Sequence, residues 1–181
     1  STLDRARKVL CRLPSNNLSL APEADALGVC SNSELQEGAK VTDIIHAVVD
    51  DGSFMEFCPE YGTSAITGLA LINGASVGVI GYQGVVGSYC CSKAARFVRF
   101  CDAFSLPLIT IVDADKFASL REAAKLSAAY SEATTIKITV ISGQAVGAFY
   151  IATAGRGANA DVTMAWTSAV VSPISLSLIH I

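Results

Sequence analysis

The spacing of apolar side chains changes period along the chain, and each change marks an element. Val41, Ile44, Ile45, Val48 and Val49 recur at helical spacing, which predicts a helix over Val41–Val49 with one face buried. Asp43 falls in its first turn, where the positive end of the helix dipole favours an acid. Asp50-Asp51-Gly52 then reads as a turn, since these residue types accept turn conformations that others resist. Ser53 to Phe57 reads as a short strand. Ala65 to Ile72 and Ala75 to Tyr82 are two apolar runs flanking Asn73-Gly74, the dipeptide that most favours a two-residue β-hairpin turn.

The second half alternates strand and helix. Ser92 is placed to cap a helix running to Phe104, with Phe97, Phe100, Cys101 and Phe104 facing inward and Pro107 closing it. Leu108 to Val112 is apolar on both faces, as a covered strand is. Leu120 to Ala133 reads as an alanine-rich helix and Lys137 to Ile141 as another buried strand. Gly143 and Gly147 lead into a helix through about Thr153, and Val162 to Trp166 is a final strand. This alternation predicts an α/β layered fold. Before Val41, a short helical stretch (Leu3 to Leu13) runs into Leu13-Pro14-Ser15-Asn16-Asn17 and a polar region with Pro22, Gly28 and Gly38. That composition is read as a linker over residues 1–40.

Composition narrows the function. The chain has 181 residues, 51% hydrophobic and 16% charged, with a net charge of -3, which fits one folded domain. It carries no basic footprint and no nucleic-acid motif, so nucleic acid is not the expected partner. From Thr63 to Ser92 no Asp, Glu, Lys or Arg occurs. Eight Gly, Asn and Gln positions interrupt that run, from Gly68 to Gly87, so it reads as buried sheet and not as a spanning helix. Cys11, Cys30, Cys58, Cys90, Cys91 and Cys101 form no Cys-x-x-Cys pair, and His46 stands alone. Reduced, buried thiols in a cytoplasmic protein are expected, with no metal site. The N-terminus has no apolar stretch after its charges and is not read as a signal peptide. Residues 176–181, Leu-Ser-Leu-Ile-His-Ile, are what the codons CTG-TCT-CTT-ATA-CAC-ATC encode. That run resembles a transposase adapter, so residues 176–181 are expected to be non-native.

Several segments together resemble the carboxyltransferase subunits of biotin-dependent acyl-CoA carboxylases and decarboxylases, including the propionyl-CoA, methylmalonyl-CoA and glutaconyl-CoA enzymes. They are Leu13-Pro14-Ser15-Asn16-Asn17, Val49 to Glu56, Val77 to Gln83, and above all Lys93-Ala94-Ala95-Arg96-Phe97-Val98-Arg99-Phe100-Cys101-Asp102-Ala103-Phe104 running on to Pro107 and Val112-Asp113. Ala129 to Thr134, Val140 to Tyr150, Ala160-Asp161 and Ala165-Trp166 complete the series. Each piece alone is weak, and their order and spacing carry the resemblance over nearly the whole chain except the tail.

That resemblance implies a crotonase-like (ClpP/crotonase) α/β fold of stacked ββα units. It implies a C-terminal, biotin-side domain over residues 41–175, incomplete at its C-terminus. It further implies biotin borne on a separate carrier protein or domain, an acyl-CoA held by an N-terminal domain absent from this chain, and a homo-oligomer. Where the enzyme decarboxylates, a membrane decarboxylase subunit joins the partners. The cofactor performs the hard step in this chemistry, and the protein orients it and stabilises charge on carbonyl oxygens. No Ser–His–Asp set is therefore expected. Gly147 and Ala148 correspond to the family's Gly-Ala pair for the biotin carbonyl, and Gly143, Gly147, Ala148, Phe149 and Tyr150 are the expected cofactor-binding residues. Two departures stand out. Asp113-Ala114-Asp115-Lys116-Phe117-Ala118-Ser119 replaces a Pro-Gly-Phe loop with its longer insertion. Val146-Gly147-Ala148-Phe149-Tyr150 stands where many relatives have Gly-Gly-Ala-Tyr-Asp.

Other readings remain at this point. Gly147-Ala148 also suits a packing pair, Asp50-Asp51-Gly52 suits plain turn chemistry, and Lys93, Arg96 and Arg99 suit a solvated face or inter-domain salt bridges. A crotonase-type hydratase or isomerase acting without biotin would need positioned carboxylates, and the nearest acid to Gly147 in sequence is Asp161. A non-catalytic assembly module is the third class.

Overall fold

The computed structural model describes residues 2–24, 35, 38–153 and 160–174. Residues 176–181, the expected adapter-derived tail, lie outside the described residues, as do residues 1, 25–34 and 36–37 of the expected linker. Seven strands form one mixed sheet in the order β1-β2-β3-β4-β5-β6, with β7 paired to β5 off that path. The strands are β1 (Met55–Glu56), β2 (Ala65–Ile72), β3 (Ala75–Val86), β4 (Leu108–Phe117), β5 (Lys137–Val146), β6 (Val162–Ala165) and β7 (Val170–Ser172). The first three pair antiparallel, and every pairing from β3 onward is parallel. The helices are α1 (Thr2–Leu10), α2 (Val41–Val48), α3 (Ser88–Ala103), α4 (Leu120–Glu132) and α5 (Ala148–Thr153).

The expected hairpin is present, with Ile72 paired to Ala75 and both turn residues, Asn73 and Gly74, at positive φ, as a primed turn demands. Its turn is also held from outside. Asp50, only 4% exposed, accepts the Asn73 N–H at 2.8 Å and the Gly74 N–H at 2.9 Å. The acidic turn after α2 thus clasps the hairpin.

The charge-free run is sheet because β3 is covered on both faces. A Cβ on Gly78 would overlap Cys101 of α3, and one on Gly81 would overlap Val41 of α2. One core cluster lies between the sheet and α3, α4 and α5, and a second between the sheet and α2. Among the described residues no helix is long and apolar enough to cross a membrane.

One helix start and three strand ends differ from expectation. The helix expected to start with Ser92 begins at Ser88, with Gly87 at its cap and no side-chain cap hydrogen bond. Burial of Cys90 and Cys91 outweighs the capping preference of a serine. The strands expected to end at Tyr82, Val112 and Ile141 run on to Val86, Phe117 and Val146. Register shifts fall between Gln83 and Val85 and between Val112 and Ala114. Such bulges bend strands and re-aim them, and beyond them Ala145 pairs with Ala114 and Gln144–Val146 with Val170–Ser172. The stretch expected as linker is anchored in part: Arg5 donates to the Glu56 carbonyl, Arg12 donates to the Leu69 carbonyl at 3.2 Å, and Val9 and Leu13 pack on the core.

Candidate functional site

The carboxyl ends of β3, β4 and β5 lie together beyond those bulges, which is where open parallel sheets present ligand sites. The turn from β5 into α5 holds Gly147 at φ +62, a conformation that a Cβ disfavours. A Cβ built there meets nothing within 4 Å, so the space above Gly147 is open. Ala148 follows as the exposed first residue of α5, and the leading amides of a helix have no partner within it. Ile151 donates its N–H to the Gly147 carbonyl at 3.2 Å, which closes the first turn.

The other expected residues divide. The Gly147 N–H donates to the Ser172 carbonyl at 2.7 Å, so β7 engages one of the paired amides. Phe149 is fully buried, 5.1 Å from the Tyr82 ring centroid and 4.7 Å from that of Phe117. Its side chain is core. Tyr150 is partly buried against the same core. Gly143 sits inside β5, where a Cβ would overlap the Asp113 carboxylate. That carboxylate accepts the Gln144 N–H at 3.0 Å, so Gly143 admits a structural contact.

The segment lacking the Pro-Gly-Phe loop is strand. Lys116 and Phe117 pair with Val85 and Val86, and α4 follows at Leu120. Asp161 accepts the Lys137 N–H at 2.7 Å, at the start of β5 and the opposite end from Gly147. Asp113 holds the Gln144 amide through one carboxylate oxygen, and Asp161 lies at the far end of β5 from the turn. Among the described residues no group of three or more His, Cys, Asp or Glu is arranged to hold a metal ion.

Sequence reasoning missed Ser172, because the strand that carries it is three residues long and too short for periodicity. It also missed the role of Asp102, which accepts the Thr134 N–H at 2.7 Å and the Thr135 N–H at 3.1 Å, tying α3 to the entry of β5. Tyr130 bridges Tyr82 and Thr110 through its hydroxyl, at 3.2 and 3.0 Å. Burial pushes its phenol up to about 12 and the Tyr82 phenol well above its ordinary value, so both remain protonated. Of Lys93, Arg96 and Arg99, expected on a solvated face or in inter-domain salt bridges, Lys93 departs from that expectation. Arg96 and Arg99 are exposed, with Arg99 3.5 Å from Glu132, but Lys93 is 7% exposed. It lies three residues after Cys90 and four before Phe97, on the core-facing spacing of α3.

The fold and its turn define an α/β domain of the crotonase-like class, the fold of its structural neighbours. Residues 2–176 match the carboxyl transferase domain family, and the chain belongs to it. The methylmalonyl-CoA decarboxylase subunit alpha of Propionigenium modestum is 36% identical over 94% of this chain and 38% of its own length. The mitochondrial propionyl-CoA carboxylase beta chain of Rattus norvegicus is 39% identical over 90% of this chain and 32% of its own. The crystal structure of the transcarboxylase 12S hexamer, with methylmalonyl-coenzyme A and methylmalonic acid bound, aligns with a TM-score of 0.86 at 36% identity. It covers 93% of this chain and 37% of that one. The chain thus spans about a third of the length of these relatives.

Proposed function

We propose that this chain is the biotin-side part of a carboxyltransferase that moves a carboxyl group between biotin and an acyl-CoA. Family membership and relatives named as acyl-CoA carboxylase and decarboxylase subunits support the reading. The observation that carries it is the β5–α5 turn: a glycine in the left-handed region, bare on its open side, immediately before an exposed helix start.

The residues fit a carbonyl acceptor through one amide. The first-turn amide of Ala148 faces the open end of α5, while Ser172 takes that of Gly147. Biotin, when bound, supplies the nitrogen that carries and releases the carboxyl group. This chain's part is to hold a donor where negative charge gathers on a carbonyl oxygen, which lowers the barrier more than it stabilises the ground state. Gly147 leaves the approach clear, and the packing of Phe149 on Tyr82 and Phe117 fixes the helix that presents Ala148. Asp113 and Gly143 brace the strand that ends at the turn. The acyl-CoA, the biotin carrier, homo-oligomeric assembly and any membrane decarboxylase subunit belong to the same proposal.

A chimera tests it: this chain joined to the remaining two thirds of the Propionigenium relative. Carboxyl transfer that avidin abolishes is the expected result. Transfer untouched by avidin, or acyl-CoA hydration in its place, overturns the reading.

A further inference from the structure

A cavity of about 350 Å³ opens between α3 and the segment joining β1 to β2, at the small end of the range of about 300–1,000 Å³ for small-molecule sites. Phe57, Phe97, Phe100 and Tyr61 line it, with Lys93 and Arg96 on the α3 side. The rings pack on one another: Phe57 stands edge-on to Phe97 at 5.7 Å, and Phe97 stacks on Phe100 at 6.0 Å. The walls are therefore apolar and fixed, with cationic groups along one side.

Lys93 is the anomaly. Its side chain is 5% exposed, and its Nζ is fully buried with no hydrogen-bond partner among the described residues. The Glu56 carboxylate lies 3.9 Å away, an ion pair beyond hydrogen-bond range. Removing an ammonium from water without replacing its hydrogen bonds is costly. Burial accordingly lowers its pKa, while the nearby Glu56 and Cys58 raise it. Its charge lies just beneath the cavity wall, where it favours an anion beside it.

We propose that this cavity binds a monocarboxylate with a compact apolar body, the carboxylate taken by the exposed Arg96 and attracted by the buried charge of Lys93, and the body by Phe57, Phe97 and Phe100. The charge count selects a single negative charge. Glu56 already offsets part of the Lys93 charge, and a dianion such as phosphate would face its repulsion at close range. The apolar walls select the body, because a bare anion would leave them wet. The site shares no residue with the β5–α5 turn, so its failure leaves the proposed carboxyl transfer standing, and the reverse holds.

The test titrates the 181-residue chain with 4-phenylbutyrate, 4-phenylbutan-1-ol and inorganic phosphate, read by ligand-observed NMR and calorimetry. Saturable binding of the acid is expected, with the alcohol at least tenfold weaker and phosphate showing no saturation. Lys93→Met is expected to weaken the acid tenfold or more. Exposed Arg96 permits Arg96→Gln, expected to cost threefold or more with the melting curve unchanged, and it decides the matter where Lys93→Met does not fold. No saturable binding of the acid overturns the proposal. So does equal affinity for acid and alcohol, phosphate binding as tightly as the acid, or wild-type affinity in folded Lys93→Met or Arg96→Gln.

Discussion

Replacing Gly147 by alanine separates backbone strain from ligand contact. Gly147 has φ +62 and a Cβ there meets nothing within 4 Å, so the substitution adds a left-handed penalty and no clash. That penalty is about 1–2 kcal/mol, which lowers the melting temperature by roughly 2–8 °C for a chain of this size. Gly52 is a matched control, with φ +61 and the same empty surroundings, in the turn after α2. Gly52→Ala and Gly147→Ala should therefore melt within a degree or two of one another. Their turnover in the chimera should differ sharply. The alanine methyl at 147 enters the space through which a carbonyl reaches the Ala148 amide, and losing one such donor costs on the order of a hundredfold in rate. A hundredfold is about 2.7 kcal/mol of barrier, larger than the strain and absent at Gly52. If Gly147→Ala melts like Gly52→Ala and turns over within threefold of the unsubstituted chimera, the turn is only packing and the assignment of its amide is wrong.

Two further outcomes follow from buried groups. Asp50→Ala strands the Asn73 and Gly74 amides that its carboxylate accepts; at about 1.5–3 kcal/mol for each charge-assisted bond, urea unfolding should show a loss of roughly 3–6 kcal/mol, and a loss under 1 kcal/mol would contradict the clasp. Cys11 and Cys58 are exposed, whereas Cys90, Cys91 and Cys101 are buried and burial pushes the Cys91 thiol up to about 11. At pH 8, where on the order of one Cys91 in a thousand is thiolate, peptide mapping after brief alkylation should find Cys11 and Cys58 labelled and the other three untouched until denaturant is added.

Much of the fold was legible because its signals are local. Asn73-Gly74 between two apolar runs could hardly be anything but a hairpin, and Val41–Val48 and Leu120–Glu132 follow helical spacing closely. What escaped was set by distant neighbours. The extensions of β3, β4 and β5 past Tyr82, Val112 and Ile141 depend on bulges and on partners such as Val170–Ser172, which no local period encodes. At the turn, Gly147 and Ala148 were legible only through the family's motif. That Phe149 is core and that Ser172 holds the Gly147 amide needed the packed structure. Lys93 was misread from its charge, although its distance from Phe97 and Phe100, four and seven residues on, already placed it on the inward face.

The pairing order of the sheet also sets the order in which it can assemble. Joining Ile72 to Ala75 closes a loop of only the two turn residues, while joining Gly78 to Leu108, or Leu108 to Lys137, closes one of roughly thirty. The entropy of closure grows with the logarithm of loop length, so each parallel pairing starts about 2.4 kcal/mol behind the hairpin. The hairpin, held by the Asp50 carboxylate, is thus the natural seed, and β4, β5 and β6 are added outward, each carried in by its own helix. The turn that bears Gly147 then takes shape among the last parts of the chain, because it needs β5 in place and β7 laid beside it.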